Sequence, residues 1–138
     1  MKKVRGTLDD VWPIVLTSNT PERRVNVYVE LKGTPYTLFV DLNGAPLKPV
    51  MASNRPPHMV VEKAPGKFEC YWKILGMTSE HQRAAQRTLI EIFDGNPNNL
   101  DAGMLPGTIN FSCDKPFLVR IHHNSDRPPY RANDRHWR

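Results

Sequence analysis

HMVVEKAPGKFECYWKI, residues 58–74, is the stretch of this sequence that decides its fold. Its two arms, 58–63 and 67–74, are rich in β-branched and aromatic residues, and the APGK turn joins them, so the stretch predicts a β-hairpin. Successive side chains of a strand point to opposite faces. In the second arm Phe68, Cys70, Trp72 and Ile74 share one face, and Lys67, Glu69, Tyr71 and Lys73 share the other. We expect the first face to lie in the core and the second to be the wetter one.

The residues before the hairpin predict two more strands. YTLFVD (36–41) is a continuous apolar run that ends in an acid, which is typical of a strand covered on both faces. VNVYVEL (25–31) alternates apolar and polar residues and predicts a half-buried strand. GTP (33–35) predicts a turn between them. Residues 43–57 contain four prolines and predict an irregular connection.

After the hairpin the sequence predicts one clear helix over 79–94, packed on the sheet. Ser79 with Gln82 forms a capping-box pattern, apolar residues recur at helical spacing, and Gly95 ends the pattern. Residues 95–110 predict a long loop, and FLVRIH (117–122) predicts a last strand. LDDVWPIVL (8–16) begins like a helix, but Pro13 is expected to break it.

These elements predict an α+β fold with a mixed or antiparallel sheet. The expected organisation is an N-terminal segment (1–24), one α+β domain (25–122) and a basic polar tail (123–138). A chain of 138 residues suits one domain. No apolar run approaches the ~20 residues that span a bilayer, and the start does not resemble a signal peptide, so we expect a cytoplasmic protein with no membrane contact. Cys70 and Cys113 are then expected to be free thiols.

The formal net charge of +5 is concentrated at the two ends of the chain. Residues 1–5 carry a net +3, residues 120–138 carry another +3, and the remainder carries −1. Basic ends beside a near-neutral body predict contacts with phosphate, although a solvated terminus is an equal alternative. Aromatic residues among the arginines favour binding, since both stack on bases. The candidate nucleic-acid contacts are Lys2, Lys3, Arg120, Arg127, Arg131, Arg135 and Arg138.

Asp41 and Asn43 lie two residues apart at the end of the predicted buried strand. Two carboxylates at this spacing would suit Mg²⁺, which takes oxygen ligands and the phosphates of a substrate. An asparagine supplies a neutral oxygen and weakens such a site. The alternative is a simple turn, because Asp, Asn and Gly all favour turns.

Several segments, in order, resemble the RepB-type primases of plasmids and phages, a branch of the archaeo-eukaryotic primase superfamily. FVDLN (39–43) is similar to that family's apolar strand ending in Asp-x-Asp, and APGKFECYW (64–72) to its Ser-Pro-Gly-Lys-x-His-x-Tyr-Trp segment. Paired alanines (84–85), FDGNPNNLD (93–101) and LPGTIN (105–110) resemble its later motifs. The resemblance covers about residues 25–122.

The resemblance implies an RRM-like catalytic core that holds Mg²⁺ or Mn²⁺ and a nucleoside triphosphate and copies single-stranded DNA. It implies metal-binding roles for Asp41 and Asp101, with Asn43 at the position of a further ligand. Lys67 and the turn at Gly66 would approach phosphate. Asn110 would lie in the nucleotide pocket.

Three positions depart from the family pattern. Asn43 stands where a second acid is expected, Glu69 where a histidine is expected, and Met104 where an arginine is expected. Together these changes remove one metal ligand and two phosphate-facing donors from a reaction that depends on positioning and charge neutralisation.

The sequence therefore predicts a primase-like protein of a phage or plasmid that binds single-stranded DNA or RNA without polymerase activity. Two alternatives stay open. One is an active divalent-metal primase that uses Asp41, Glu69 and Asp101 as catalytic carboxylates. The other is a phage-encoded interaction protein that inhibits a host nucleic-acid machine, with a host or replication protein as its partner.

Overall fold

A computed structural model of the chain describes residues 3–31 and 36–132. Its helices are α1 (Leu8–Ser18), α2 (Lys48–Met51) and α3 (Ser79–Phe93). Its strands are β1 (Tyr28–Glu30), β2 (Thr37–Asp41), β3 (Met59–Ala64), β4 (Lys67–Leu75), β5 (Ala102–Met104), β6 (Ile109–Asn110), β7 (Phe117–Leu118), β8 (Arg120–Asn124) and β9 (Tyr130–Arg131). The predicted α+β class is confirmed. The predicted turn at 33–35 lies outside the described residues.

The central sheet has the strand order β2-β4-β3-β8 with antiparallel neighbours, and β9 adds to the end of β4 in parallel. The hairpin predicted from 58–74 is its β3–β4 pair. In β2, four of the five residues are buried, as the apolar run predicted. The last predicted strand is also present, but it divides into β7 and β8 and continues to Asn124.

The larger core lies between the sheet and α3. It contains Leu38, Val40, Val60, Cys70, Trp72 and Ile74 from the strands, and Ala85 and Ile90 from the helix. The strand residues belong to the face that the alternation of β4 assigned to the core, so this prediction is confirmed. Cys70 is a free thiol at the centre of this cluster, and Cys113 is free as well.

Helix α3 begins at Ser79, and its N-cap lies one residue before the predicted cap. The side chain of Thr78, not Ser79, accepts a hydrogen bond from the backbone N–H of His81 (3.2 Å), and Asp94 ends the helix in a left-handed conformation (φ 58°). The predicted apolar stripe is partly wrong, because Ile92 is 60% exposed. Gln86 is buried instead, and its side chain forms a hydrogen bond with strand β2.

Glutamines of α3 protect the edge of the sheet. Strand β2 is an edge strand, and edge strands present unpaired backbone groups. Gln86 Oε1 accepts from the backbone N–H of Phe39 (3.1 Å), and Gln82 Nε2 donates to the carbonyl oxygen of Thr37 (2.7 Å). The helix therefore both covers one face of the sheet and closes its edge.

The opposite face of β4, expected to be the wetter one, is buried at its centre. Glu69 is fully buried, whereas Lys67 and Lys73 near the strand ends are exposed. A two-stranded ribbon of β1 and β5 contributes the cover: Met104 of β5 packs with Val61 in a second, smaller core cluster. Alternation correctly placed these residues on one face but could not show that a distant segment covers it.

Three local predictions need correction. Helix α1 continues through Pro13 to Ser18, because Thr7 and Asp10 form a reciprocal capping box that stabilises its first turn. The strand predicted over 25–31 shortens to β1, whose residues are all exposed, because its partner is only the three-residue β5. The connection 43–57 contains the short helix α2, and the loop 95–110 contains β5 and β6.

The described part of the predicted tail packs against the sheet. The hydroxyl of Tyr130 donates to the carbonyl oxygen of Pro56 (2.7 Å), and Nε2 of His58 lies 3.0 Å from the carbonyl oxygen of Pro128. His58 Nδ1 accepts from the backbone N–H of Lys73 (2.9 Å), so Nε2 is the nitrogen that donates. Burial is the largest cause that lowers the pKa of His58, in keeping with a neutral ring. No helix within 3–31 and 36–132 is long and apolar enough to cross a membrane.

The close approach of β5 to β4 predicts the effect of Gly103→Ala. A Cβ at this position would overlap the hydroxyl of Tyr71, with the ring carbon Cζ at 3.0 Å. We expect a loss of about 1–3 kcal/mol in the free energy of unfolding, the usual cost of overpacking. Tyr71→Phe removes the overlapping oxygen and should restore part of that loss. Urea unfolding of the two single variants and the double variant measures the coupling, and strictly additive losses would contradict the contact.

Candidate functional site

The candidate site is built on two buried carboxylates in adjacent strands. Asp41 ends β2 and Glu69 lies in β4, directly opposite it in the antiparallel register. Asp41 is 2% exposed and Glu69 is fully buried. Like charges directly opposite each other destabilise a sheet, so this pair needs compensation from its surroundings.

One oxygen of each carboxylate is held by the loop after α3. Oδ2 of Asp41 accepts from the side-chain amide of Asn99 (3.0 Å), and Oε1 of Glu69 accepts from the backbone N–H of Met104 (2.8 Å). The other two oxygens, Asp41 Oδ1 and Glu69 Oε2, are buried and accept no hydrogen bond. They are the oxygens that approach a cation.

That cation is Lys63, which our sequence reasoning missed. Its ammonium nitrogen lies 2.7 Å from Asp41 Oδ1 and 4.0 Å from Glu69 Oε2, and its side chain is only 15% exposed. The register between β3 and β4 shifts between Glu62 and Ala64, so Lys63 is the extra residue of a β-bulge. Bulges re-aim side chains. The available signal was the alternation of β3, which places Lys63 on the face of Val61, the partner of Glu69.

Burial controls the electrostatics of the pair. It raises the pKa of Glu69 from 4.5 to about 7, and the neighbouring charge of Asp41 acts in the same direction. The N–H of Met104 and the ammonium of Lys63 oppose this rise in pKa. Burial also raises the pKa of Tyr71 well above its usual range. The carboxyl group of Glu69 is therefore poised to take up a proton near neutrality.

The structure does not bring the predicted metal ligands together. Asn43 is exposed in a left-handed turn (φ 43°) and lines a cleft, whereas Asp41 is buried. Within the described ranges, no three or more His, Cys, Asp or Glu side chains are grouped so that they could hold a metal ion. Asp41 and Glu69 therefore do not form a three-carboxylate site with Asp101. The carboxylate pair fits a single cation, and Lys63 supplies it, so the residues as arranged do not fit a divalent metal.

An open cleft of about 850 Å³ lies beside the acid pair. The residues that give it its chemical character are Asn43, Lys63, Lys67, Asn110, Lys115 and Phe117. Lys67 and Lys115 are exposed. The cleft therefore offers two exposed cationic side chains and one exposed acid, Asp114, next to an aromatic ring.

Two residues predicted for phosphate or nucleotide contact are engaged within the fold. The backbone N–H of Gly66 (φ 70°) donates to Oε2 of Glu62 (3.1 Å). The side-chain amide of Asn110 donates to the carbonyl oxygen of Lys63 (2.7 Å), and its Oδ1 accepts from the N–H of Ser112. Asn110 thus supports the bulge that aims Lys63.

The predicted basic contacts are dispersed over the surface. Nη2 of Arg120 lies 2.7 Å from Oε1 of Glu62, and the guanidinium also lies over the ring of Phe117 at the cleft. Arg127 donates to the hydroxyl of Tyr130, and Lys3 lies 3.5 Å from Glu30. Arg131 belongs to β9. Lys2, Arg135 and Arg138 lie outside the described residues.

Comparison with known proteins finds similarity to solved structures only. No family model matches the chain, and no curated protein does. The catalytic domain of primase RepB′, solved in complex with initiator DNA, superposes with a TM-score of 0.72 at 24% identity over 87% of this chain and 66% of that one. Primase RepB′ superposes with the same TM-score at 22% identity, over 87% of this chain and 44% of that one. The chain thus has a RepB′-like primase fold and spans less than two thirds of either protein.

The buried acid pair predicts that Glu69→Gln changes how stability depends on pH. A carboxyl group with a raised pKa in the folded state stabilises the fold below its unfolded pKa and loses that contribution as pH rises through the folded pKa. The wild type should therefore lose stability between about pH 4.5 and 7. The glutamine amide of the variant does not titrate and still accepts from the N–H of Met104. At pH 7.5 the free energy of unfolding of Glu69→Gln should therefore exceed that of the wild type by up to about 3 kcal/mol.

Urea unfolding at several pH values measures this difference. Glu91→Gln makes the same chemical change on the exposed side of α3 and should leave the wild-type pH dependence in place. Parallel pH profiles for wild type and Glu69→Gln would show that Glu69 does not titrate in this window.

Proposed function

We propose that this chain is a primase-like nucleic-acid-binding protein of a phage or plasmid, that its ligand is single-stranded DNA or RNA, and that it has no polymerase activity. The observation that carries the proposal is the cleft beside the sheet, where lysines from two segments face the same space. Lys67 is the first residue of β4, next to the β3–β4 turn, and Lys115 lies in the segment before β7. A groove of exposed cations is the feature that binds a phosphate backbone without reading its sequence.

Aromatic rings at the cleft suit a single-stranded ligand. Tyr28 and Phe117 line the same space as the lysines, and Tyr28 is 45% exposed. Bases of a single strand stack on such rings, with a gain of roughly 1–3 kcal/mol per base. In a duplex the bases already stack on each other, so this surface favours unpaired strands.

The arrangement around the carboxylates supports binding without polymerisation. Phosphoryl transfer depends on charges placed around the reacting phosphate. Here Asn43 lies on the cleft while Asp41 is buried, Glu69 accepts from the N–H of Met104, and Lys63 forms an ion pair with Asp41. We propose a binding module that retains the fold of a primase while its acidic residues are engaged internally.

The cleft predicts that Lys67→Ala/Lys115→Ala weakens binding of a fluorescently labelled single-stranded oligonucleotide. Loss of two phosphate contacts should lower affinity on the order of tenfold at 0.1 M salt and reduce the slope of log K against log salt by about 1.4. Fluorescence anisotropy across a salt series, with DNA and RNA probes, measures both quantities. Arg83→Ala/Arg87→Ala removes the same charge from the exposed side of α3, on the other face of the sheet, and should have a smaller effect.

Two results would contradict this proposal. Equal losses in the two double variants would place the interface elsewhere than the cleft. Primer synthesis by the wild type with Mg²⁺ or Mn²⁺, abolished by Asp41→Asn, would show that the chain is an active polymerase.

A further inference from the structure

The space between Asp41 and Glu69 has the chemistry of a cation site. Each carboxylate has one oxygen fixed by a donor from the 96–104 segment and one buried oxygen that accepts no hydrogen bond. The two unbonded oxygens both face the ammonium of Lys63. Two buried acids with paired free oxygens are costly while both are charged, unless a positive charge lies between them.

Two local features of the fold place Lys63 in this position. The bulge in β3 directs its side chain to the acids, and the amide of Asn110 holds its backbone carbonyl. Lys63 also lines the cleft, whereas Asp41 and Glu69 do not. An ion that enters through the cleft meets Lys63 before it reaches Asp41 or Glu69.

We propose that Lys63 is a built-in counter-ion that occupies the position of a divalent cation between Asp41 and Glu69 and keeps Mg²⁺ and Mn²⁺ out of it. This inference concerns the acid pair alone and does not rest on the proposed binding of nucleic acid. The protein satisfies its buried carboxylates with its own side chain, and the site needs no metal.

Distance and charge explain the exclusion. Mg²⁺ binds oxygens at about 2.0–2.1 Å and requires nearly octahedral geometry, so it cannot share Asp41 Oδ1 with an ammonium 2.7 Å away. A divalent ion would have to displace Lys63, and the displaced ammonium would remain close to a double positive charge. Repulsion between such charges is strong in a partly buried site.

Removal of the Lys63 charge should therefore create a metal site. In Lys63→Gln, Asp41 Oδ1 and Glu69 Oε2 face each other without a counter-ion, and a divalent cation supplies the missing charge. Two carboxylates with water or amide oxygens form an adequate ligand set for Mn²⁺ or Mg²⁺. The neutral glutamine supplies an amide oxygen in place of the ammonium.

The test is a Mn²⁺ titration of the full chain, followed by electron paramagnetic resonance of free Mn²⁺. We expect wild type, Lys63→Arg and the background control Asp41→Asn to show the same weak surface binding. We expect Lys63→Gln to gain a single additional site that binds Mn²⁺ about tenfold or more tightly than this background. Lys63→Gln/Glu69→Gln should lose the additional site, because it keeps only one of the two carboxylates.

A second measurement tests the proposal even if Lys63→Gln is less stable than the wild type. Thermal unfolding with and without Mn²⁺ should show stabilisation of that variant alone, since a metal that binds the native state stabilises it. A site in the wild type that disappears in Asp41→Asn would overturn the inference. The inference would also be overturned if Lys63→Gln neither bound Mn²⁺ more tightly than the wild type nor gained stability from Mn²⁺.

Discussion

The buried ionic contact of Asp41 and Glu69 with Lys63 is the interaction on which the rest of this structure depends. Two carboxylates in a nearly dry sheet are costly unless every charge has a partner. Two parts of the chain supply those partners: the bulge in β3 brings Lys63, and the loop after α3 brings Asn99 and the N–H of Met104. The polar cluster thus joins segments that are far apart in sequence.

The same cluster explains why the second face of the sheet is covered. The N–H of Met104 can donate to Glu69 only if β5 lies directly over β4, and Gly103 allows this approach because it has no Cβ to meet Tyr71. Once β5 is in place, β1 pairs with it. The exposed strand β1 is therefore held in place through β5, which a buried hydrogen bond fixes to β4.

The hairpin turn also has a structural role. Glu62, beside the bulge, accepts from the N–H of Gly66 and pairs with Arg120 of β8. Asn110 holds the carbonyl of Lys63 from the other side. Residues that the family resemblance assigned to phosphate and nucleotide are thus used to hold the turn and the bulge. The exposed ammonium groups of Lys67 and Lys115 remain on the cleft.

Local periodicity predicted the elements whose burial is decided within a few residues. The β3–β4 hairpin, strand β2 and helix α3 belong to this group, as does the division of β4 into two faces. Coverage of the Glu69 face was not predictable in this way, because it depends on pairing with residues 102–104. Lys63 was not predicted because a charged residue beside a predicted turn is normally solvated, although the alternation of β3 places it on the face of Val61.

Lys63 belongs to both the acid pair and the cleft, and the balance between these roles decides how the cleft can bind an anion. A phosphate that drew the ammonium outward would leave Asp41 and Glu69 facing each other without their cation. The energy of that separation opposes the new contact, because the acids are almost completely buried. Lys67 and Lys115 are exposed and bear no such constraint. In the proposed binding, attraction for phosphate would therefore come from Lys67 and Lys115 at the rim of the cleft, while Lys63 stays paired with the acids.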